Sequence, residues 1–426
     1  MKHSRLSLSY GSLITISIIV MGLFCLSRGS FGLAIPHSIW FVVLGGALSL
    51  ALFSYFKRII KLSRMTILLV IALMLVYYNN WDFKNGIFAD AYYFSIIIVL
   101  SIAAQYYSKW HKPFLIFLTV MGLFYASWTY VCAVDENIYY NVVLPFLRTL
   151  DPTAPRGNFT FGLTTHYSTN GMYLALALIV TLSVNLVLTK KDKKRLFYLF
   201  LSLLLTGGVL LSGKRGIVIV ALLSFSLTYI LKSRSLDRPA KLLILLSGVL
   251  LIAYIASFWI PRLSIIVDRF QNLIAEGNIA SDRFDLWAEG FKGFLESPFF
   301  GNGWSWFRYH NSFGVIYHVH NCYIQWLCEL GLVFAAPIYA LIIFATYRAY
   351  KLYRMIITDK AKLTGNLYQD QLIRIFTTFA FMYEIYFIIF MAEGTGYYEI
   401  QSNYAYFMCI AIVEYYMRAI RNRGLR

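Results

Sequence analysis

The residues with the most chemical reach lie around position 320. His318-Val-His320-Asn-Cys-Tyr-Ile-Gln325 is followed by Glu329-Leu-Gly331. Two imidazoles and an Asn at the mouth of an apolar run mark a partly wet place, where an imidazole of pKa about 6.5 is able to take a proton. The plainer reading of His320 is a polar group closing a helix end. A metal site would need carboxylates clustered with His310, His318 and His320, and the sequence supplies no such set beside them, so no metal and no cofactor is expected. Arg215 sits in SGKRG (212–216), a turn of a few residues between two apolar runs. A charge at membrane depth costs about 2.5–3.5 kcal/mol, although an Arg at the edge can snorkel outward. Lys214 and Arg215 are therefore either interface anchors or a clamp for an anion. Arg283 opens an amphipathic stretch, and taken alone it reads as a solvated surface Arg. Gly208 to Lys214 fits the G-x-x-x-x-G-K part of a phosphate-binding loop, but Arg215 follows where Ser or Thr belongs, and no strand precedes it. A nucleotide site is not expected there.

The elements that must position these groups follow from composition. The chain has 426 residues, 59% apolar and only 14% charged. Soluble domains run nearer half apolar and a quarter charged, and this chain has too few charges for a wetted surface. It is expected to be an all-α polytopic membrane protein with about twelve transmembrane helices. The apolar runs fall at 10–27, 36–56, 65–80, 87–107, 113–133, 168–188, 196–212, 216–231, 241–260, 321–347, 372–392 and 397–417. The first has no small-residue cleavage site after it and is read as a span, not a signal peptide. The third is the shortest.

The loops set orientation. Alternate connections hold 27 of the 38 Lys and Arg but only five Asp and Glu, whereas the rest of the chain holds 11 basic and 15 acidic residues. The positive-inside rule places the first set in the cytoplasm, with both termini. The net charge of +18 is then a topology signal and not a nucleic-acid footprint. The outer face keeps few cations, and Lys214, Arg215 and Arg283 are among them. Two outer segments exceed a turn, 134–167 and 261–320. The second contains SDRFDLWAEGFKGFLESP, a surface helix expected to be N-capped by Ser281 and to lie against the bundle. Phe284, Trp287, Ala288, Phe291 and Leu295 share one of its faces. The chain divides into 1–133 (five N-terminal helices), 134–260 (outer segment and helices six to nine), 261–320 (the long extracytoplasmic loop) and 321–426 (three C-terminal helices). Cys25, Cys132, Cys322, Cys328 and Cys409 are scattered, with no CxxC, and imply neither disulfides nor zinc.

SDRFDLWAEGFKGFLESPFFGNGWSWF followed by HNCYIQWLCELGLV resembles the shared region of the bacterial O-antigen ligase and polysaccharide polymerase superfamily. Its pattern is an Arg and a Trp in a helix, a P-x-x-G-x-G turn, then H-N-x-x-x-Q with E-x-G downstream. Pro298, Gly301 and Gly303 fit the turn. LLSGKRG resembles the family's Ser-x-Ser-Arg-Gly segment, with Gly213-Lys214 where Ser or Thr usually precedes the Arg. PRGNFTFGLTTHYSTNGMYLALAL (155–178) resembles the weaker Arg-x-x-Gly region. The likeness covers about 155–347.

The resemblance implies a metal-independent, inverting membrane glycosyltransferase of the C type. Such an enzyme moves a glycan from an undecaprenyl-diphosphate carrier to a sugar hydroxyl at the outer face of the inner membrane. By position, Arg215 and Arg283 would hold the diphosphate and His320 would orient or deprotonate the acceptor. Asn321, Gln325 and His318 would support it, and Arg156 and Lys214 would be secondary phosphate contacts. The expected acceptor is another carrier-linked repeat unit of an O-antigen, capsule or exopolysaccharide, with ligation to a lipid A core as the alternative. The bilayer, a flippase and a chain-length regulator are the implied partners. A transporter of lipid-linked oligosaccharide would instead need polar groups at mid-membrane, where the sequence offers mainly Glu329 and Glu384. A non-catalytic scaffold or sensor is the third reading, and turnover by pure protein separates the three.

Overall fold

The computed structural model describes residues 9–56, 63–81, 89–147, 159–189, 191–232, 283–314, 317–358 and 366–422. They contain helices and no strand. The main helices are α1 (Tyr10–Cys25), α2 (His37–Phe56), α3 (Arg64–Leu75), α4 (Ala89–Ala104), α5 (His111–Val134), α6 (Tyr167–Val187), α7 (Lys194–Leu211), α8 (Arg215–Leu231), α9 (Arg283–Glu296), α10 (Cys322–Tyr353), α11 (Leu367–Glu393) and α12 (Ile400–Asn422). Eleven of the twelve apolar runs thus coincide with a helix, and the run at 241–260 lies outside the described residues. Among the described residues five helices, α5, α6, α7, α10 with its extension to Ile357, and α11, are long and apolar enough to cross a membrane.

Burial explains the sequence patterns. In α11 the residues from Phe376 to Phe387 are buried all round, and so is nearly all of α12 from Ile400 to Glu414. These are the central helices, enclosed on every side over those stretches, with Glu384, Gln401, Asn403 and Glu414 buried among the apolar side chains. α11 packs against α6, α8, α10 and α12, while α12 also packs against α4. α7 shows the opposite arrangement. It turns Leu201, Leu205 and Val209 inward and leaves Leu196, Phe200 and Leu203 exposed. Large apolar side chains presented outward along a long apolar helix suit lipid. The chain is a multi-pass helical membrane protein.

Two sequence expectations need correction. The third run was expected to be helical to residue 80, but α3 ends at Leu75. The chain leaves the helix because it pairs with the turn after α9. Trp304 N donates to Tyr78 O at 3.0 Å, and Trp81 N donates to Trp304 O at 3.0 Å. α9 does lie against the bundle, but on a face that shares only Trp287 with the aromatic set. Leu286, Gly290 and Gly293 are buried against Val319, Ile324 and Cys328, whereas Phe284, Phe291 and Leu295 are 65%, 48% and 61% exposed. The two glycines decide the outcome. A Cβ at Gly293 would stand 2.6 Å from Cys328 Sγ, so only the glycine face can approach α10 this closely. The expected N-cap at Ser281 lies outside the described residues.

Candidate functional site

α10 positions most of the site, and it is two helical pieces joined at Gly331 (φ 62°, ψ −176°). The break frees backbone groups that nothing in lipid would satisfy. The Pro298-Phe-Phe-Gly301-Asn-Gly303 turn satisfies them. Gly303 N donates to Glu329 O at 2.7 Å and Asn302 N to Cys328 O at 3.2 Å. Leu332 N and Val333 N donate to Pro298 O and Phe299 O at 2.9 and 3.0 Å. Gly301 has φ 67°, and a Cβ there would lie 2.4 Å from the Glu329 backbone. The P-x-x-G-x-G turn and the E-x-G triplet are therefore two halves of one splice.

The break leaves the Glu329 side chain buried in a polar chain. Its Oε2 accepts from Ser305 N at 2.9 Å and from the Tyr398 hydroxyl at 2.6 Å, and its Oε1 accepts from Gln325 Nε2 at 2.8 Å. Gln325 Nε2 also lies 3.0 Å from His318 Nδ1, and Gln325 Oε1 accepts from Val319 N at 3.2 Å. Burial, then Arg308 and His320, lower the His318 pKa to about 3, so its imidazole is neutral. Asn321 caps α10, its Oδ1 accepting from Tyr323 N and Ile324 N at 3.1 and 3.2 Å. Gln325, 1% exposed, and Asn321 are thus committed to structure. They hold His320 between them instead of reaching into open space.

His320 has φ 56°. A non-glycine residue in the left-handed region costs about 1–2 kcal/mol, and such outliers concentrate at functional positions. Here the Gln325–Val319 bond on one side and the Asn321 cap on the other impose the conformation. The imidazole is half-buried. Its pKa is lowered from the expected 6.5 to about 4 by burial first, then by Lys214 and Arg283. Lys214 and Arg283, from two separate segments, thus both act electrostatically on His320.

Lys214 and Arg283 are both held. The Lys214 ammonium stands 5.9 Å from the centre of the Tyr167 ring, which stacks on Phe159 at 4.8 Å. Arg283 Nη1 donates to Glu393 Oε1 at 2.7 Å, with both side chains about a quarter exposed. Glu393, the last residue of α11, also crowds the start of α8. A Cβ at Gly216 would lie 2.3 Å from its Oε1. This carboxylate was missed by sequence reasoning, because one Glu before Gly-Thr-Gly at a helix end looks like an ordinary solvated terminus. Arg215 begins α8, but only its backbone is described. Arg156 lies outside the described residues. His310 is exposed and stacks on Trp306 at 4.8 Å. Gly213 has φ 71° and packs so closely on Phe159 that a Cβ would lie 1.9 Å from that ring. Residues 208–211 are helical in α7, so the phosphate-loop pattern has no loop to form. Among the described residues no group of three or more His, Cys, Asp or Glu is arranged to hold a metal ion.

A helical membrane bundle with cations and an imidazole gathered at one end of its central helices is the class that fold and site define. Residues 200–339 match the family model for O-antigen ligase, which bears out the resemblance to the O-antigen ligase and polysaccharide polymerase superfamily. The matched stretch includes Lys214, Arg215, Arg283, His318, His320, Asn321 and Gln325. No curated protein matches the chain.

Proposed function

We propose that the chain is a metal-independent inverting glycosyltransferase that uses an undecaprenyl-diphosphate-linked glycan. The acceptor is a second carrier-linked repeat unit, so the protein polymerises a surface polysaccharide. The observation that carries this reading is geometric: Arg283 pairs with Glu393, Glu393 crowds Gly216 beside the Lys214-Arg215 turn, and Gly290 of the same α9 packs on Val319 next to His320. A departing diphosphate needs positive charge, which guanidinium and ammonium groups supply without a metal. The acceptor hydroxyl attacks the anomeric carbon from the face opposite the diphosphate. The bond from that carbon to the phosphate oxygen breaks, the diphosphate leaves with the electron pair, and the hydroxyl proton passes to His320. Arg283 and Arg215 bear on the diphosphate, with Lys214 and Arg156 as further contacts. Glu393 holds the Arg283 guanidinium in orientation. The bundle has twelve spans, both termini lie in the cytoplasm of a bacterial inner membrane, and residues 261–320 face outward, a reading that rests on the split of basic residues.

The test is turnover of a lipid-linked repeat unit by the purified, reconstituted chain. His320→Ala should lower turnover by about 10²–10⁴, the usual contribution of a positioned base. His320→Gln should bind donor and fail to transfer, since Gln hydrogen-bonds but takes no proton. EDTA should leave the rate unchanged. Retained transfer in His320→Gln would return the residue to a packing role, and inactivation by EDTA reversed by a divalent ion would replace the arginines with a metal.

A further inference from the structure

At the end of the bundle opposite His320, α3 begins and α10 and α12 finish around a cavity of about 770 Å³. Five cationic side chains line it, Arg64, Arg348, Lys351, Arg418 and Arg421, against one carboxylate, Glu414. Two of the five are committed. Arg348 Nη2 donates to Glu414 Oε2 at 3.0 Å, and its Nε donates to Oε1. Arg418 donates to Gln105 Oε1 at 2.5 Å and lies 4.3 Å above the Tyr106 ring. Arg64, Lys351 and Arg421 are exposed and have no acidic partner among the described residues. Apart from Ser63, the rest of the wall is apolar, with Phe344, Met417 and Ile420 facing the same space.

Three uncommitted cations around one cavity repel each other, and an anion placed between them relieves that repulsion. The apolar wall asks for a ligand that is anionic at one end and hydrocarbon at the other. We propose that this cavity seats an anionic glycerophospholipid. Its phosphodiester lies between Arg64, Lys351 and Arg421, and its acyl chains run along Phe344 and Met417. Guanidinium forks match phosphate oxygens, and basic pockets between membrane helices take anionic headgroups. A zwitterionic lipid brings a quaternary ammonium that these cations repel. The inference rests on the helical membrane placement and is independent of transfer activity.

Native mass spectrometry of the full chain, released from nanodiscs of equal phosphatidylglycerol and phosphatidylcholine, tests it. The chain should retain one phosphatidylglycerol in clear preference to phosphatidylcholine. Arg64→Gln/Lys351→Gln/Arg421→Gln should lose that preference by about 100-fold, since each surface cation contributes roughly a factor of five to anionic-lipid attraction. Should the triple variant not fold, Lys351→Gln alone should show about a fivefold loss. Lys191→Gln/Lys193→Gln/Lys194→Gln, which removes three cations from the same side but not from the cavity, should retain the lipid. Equal loss in this control would show a diffuse field instead of a site and overturn the proposal. So would wild-type chain without headgroup preference, or displacement of the lipid by millimolar inorganic phosphate, which would mark a pocket for soluble anions.

Discussion

At the scale of single residues, the informative change is in His320. Its type and place suggested an imidazole near its ordinary pKa, whereas burial, Lys214 and Arg283 bring it down to about 4. The sign of the consequence is definite. A lowered pKa means that the neutral, proton-accepting form is present above about pH 4 in the free protein and is lost as pH falls through that value. On the acid side, kcat/KM should hold until pH approaches about 4, not break near 6.5. A bound diphosphate offsets the two cations and makes the imidazole more basic, so the acid limb of kcat should lie at higher pH than that of kcat/KM. Lys214→Ala should move the kcat/KM limb upward by removing one of the two charges, and a limb unmoved by that change would separate Lys214 from His320. Arg283→Ala should cost about 10²–10³ in turnover, as for other groups that meet developing charge. The types and spacing of these residues were legible in the sequence, and their roles belong to the proposed function. It did not supply Glu393, because the ion pair with Arg283 joins positions 110 residues apart, and no local pattern reports such a meeting.

At the scale of elements, the broken helix explains why two short motifs occur together. Gly331 occupies a region of backbone space that is essentially restricted to glycine, where another residue costs on the order of 1–3 kcal/mol. A Cβ there would also lie 2.5 Å from Phe299 O and Gly301 N. Gly331→Ala should therefore lower the midpoint of thermal unfolding by several degrees and reduce transfer with it, because the splice carries Gln325 and, through Gln325, the loop that ends in His320. Gly314→Ala is the contrast. Gly314 also has a positive φ of 68°, but nothing stands within 4 Å of the added methyl, so only the backbone cost remains and transfer should persist. Equal loss in both variants would mean that the α10 splice has no special part in the site. The long apolar runs made the helices legible because hydropathy is additive along a chain. The inward face of α9 was not legible, because the choice between an aromatic face and a glycine face depends on the shape of α10. A period of 3.6 marks that a helix has faces without saying which one a partner can approach.

At the scale of the whole molecule, the two ends of the bundle differ in kind. One end gathers His320, Lys214, Arg283 and Glu393, and the other gathers the cations of the 347–354 and C-terminal segments, with the full length of α10 between them. The proposed orientation, in which the side that holds 27 of the 38 basic residues is cytoplasmic and the His320 end is outside, rests on the positive-inside rule. Cysteine accessibility in intact cells tests this directly, and the chain is suited to it because all five native cysteines are buried, which keeps background labelling low. Ser312, exposed in the loop before His318, should as Ser312→Cys react with a membrane-impermeant maleimide in whole cells. Lys193→Cys, exposed between α6 and α7, should react only after the membrane is opened. The reverse pattern would place the imidazole and its cations on the cytoplasmic side. There a glycan already carried to the outer leaflet could not reach them, so the reversal would remove the proposed donor along with the orientation.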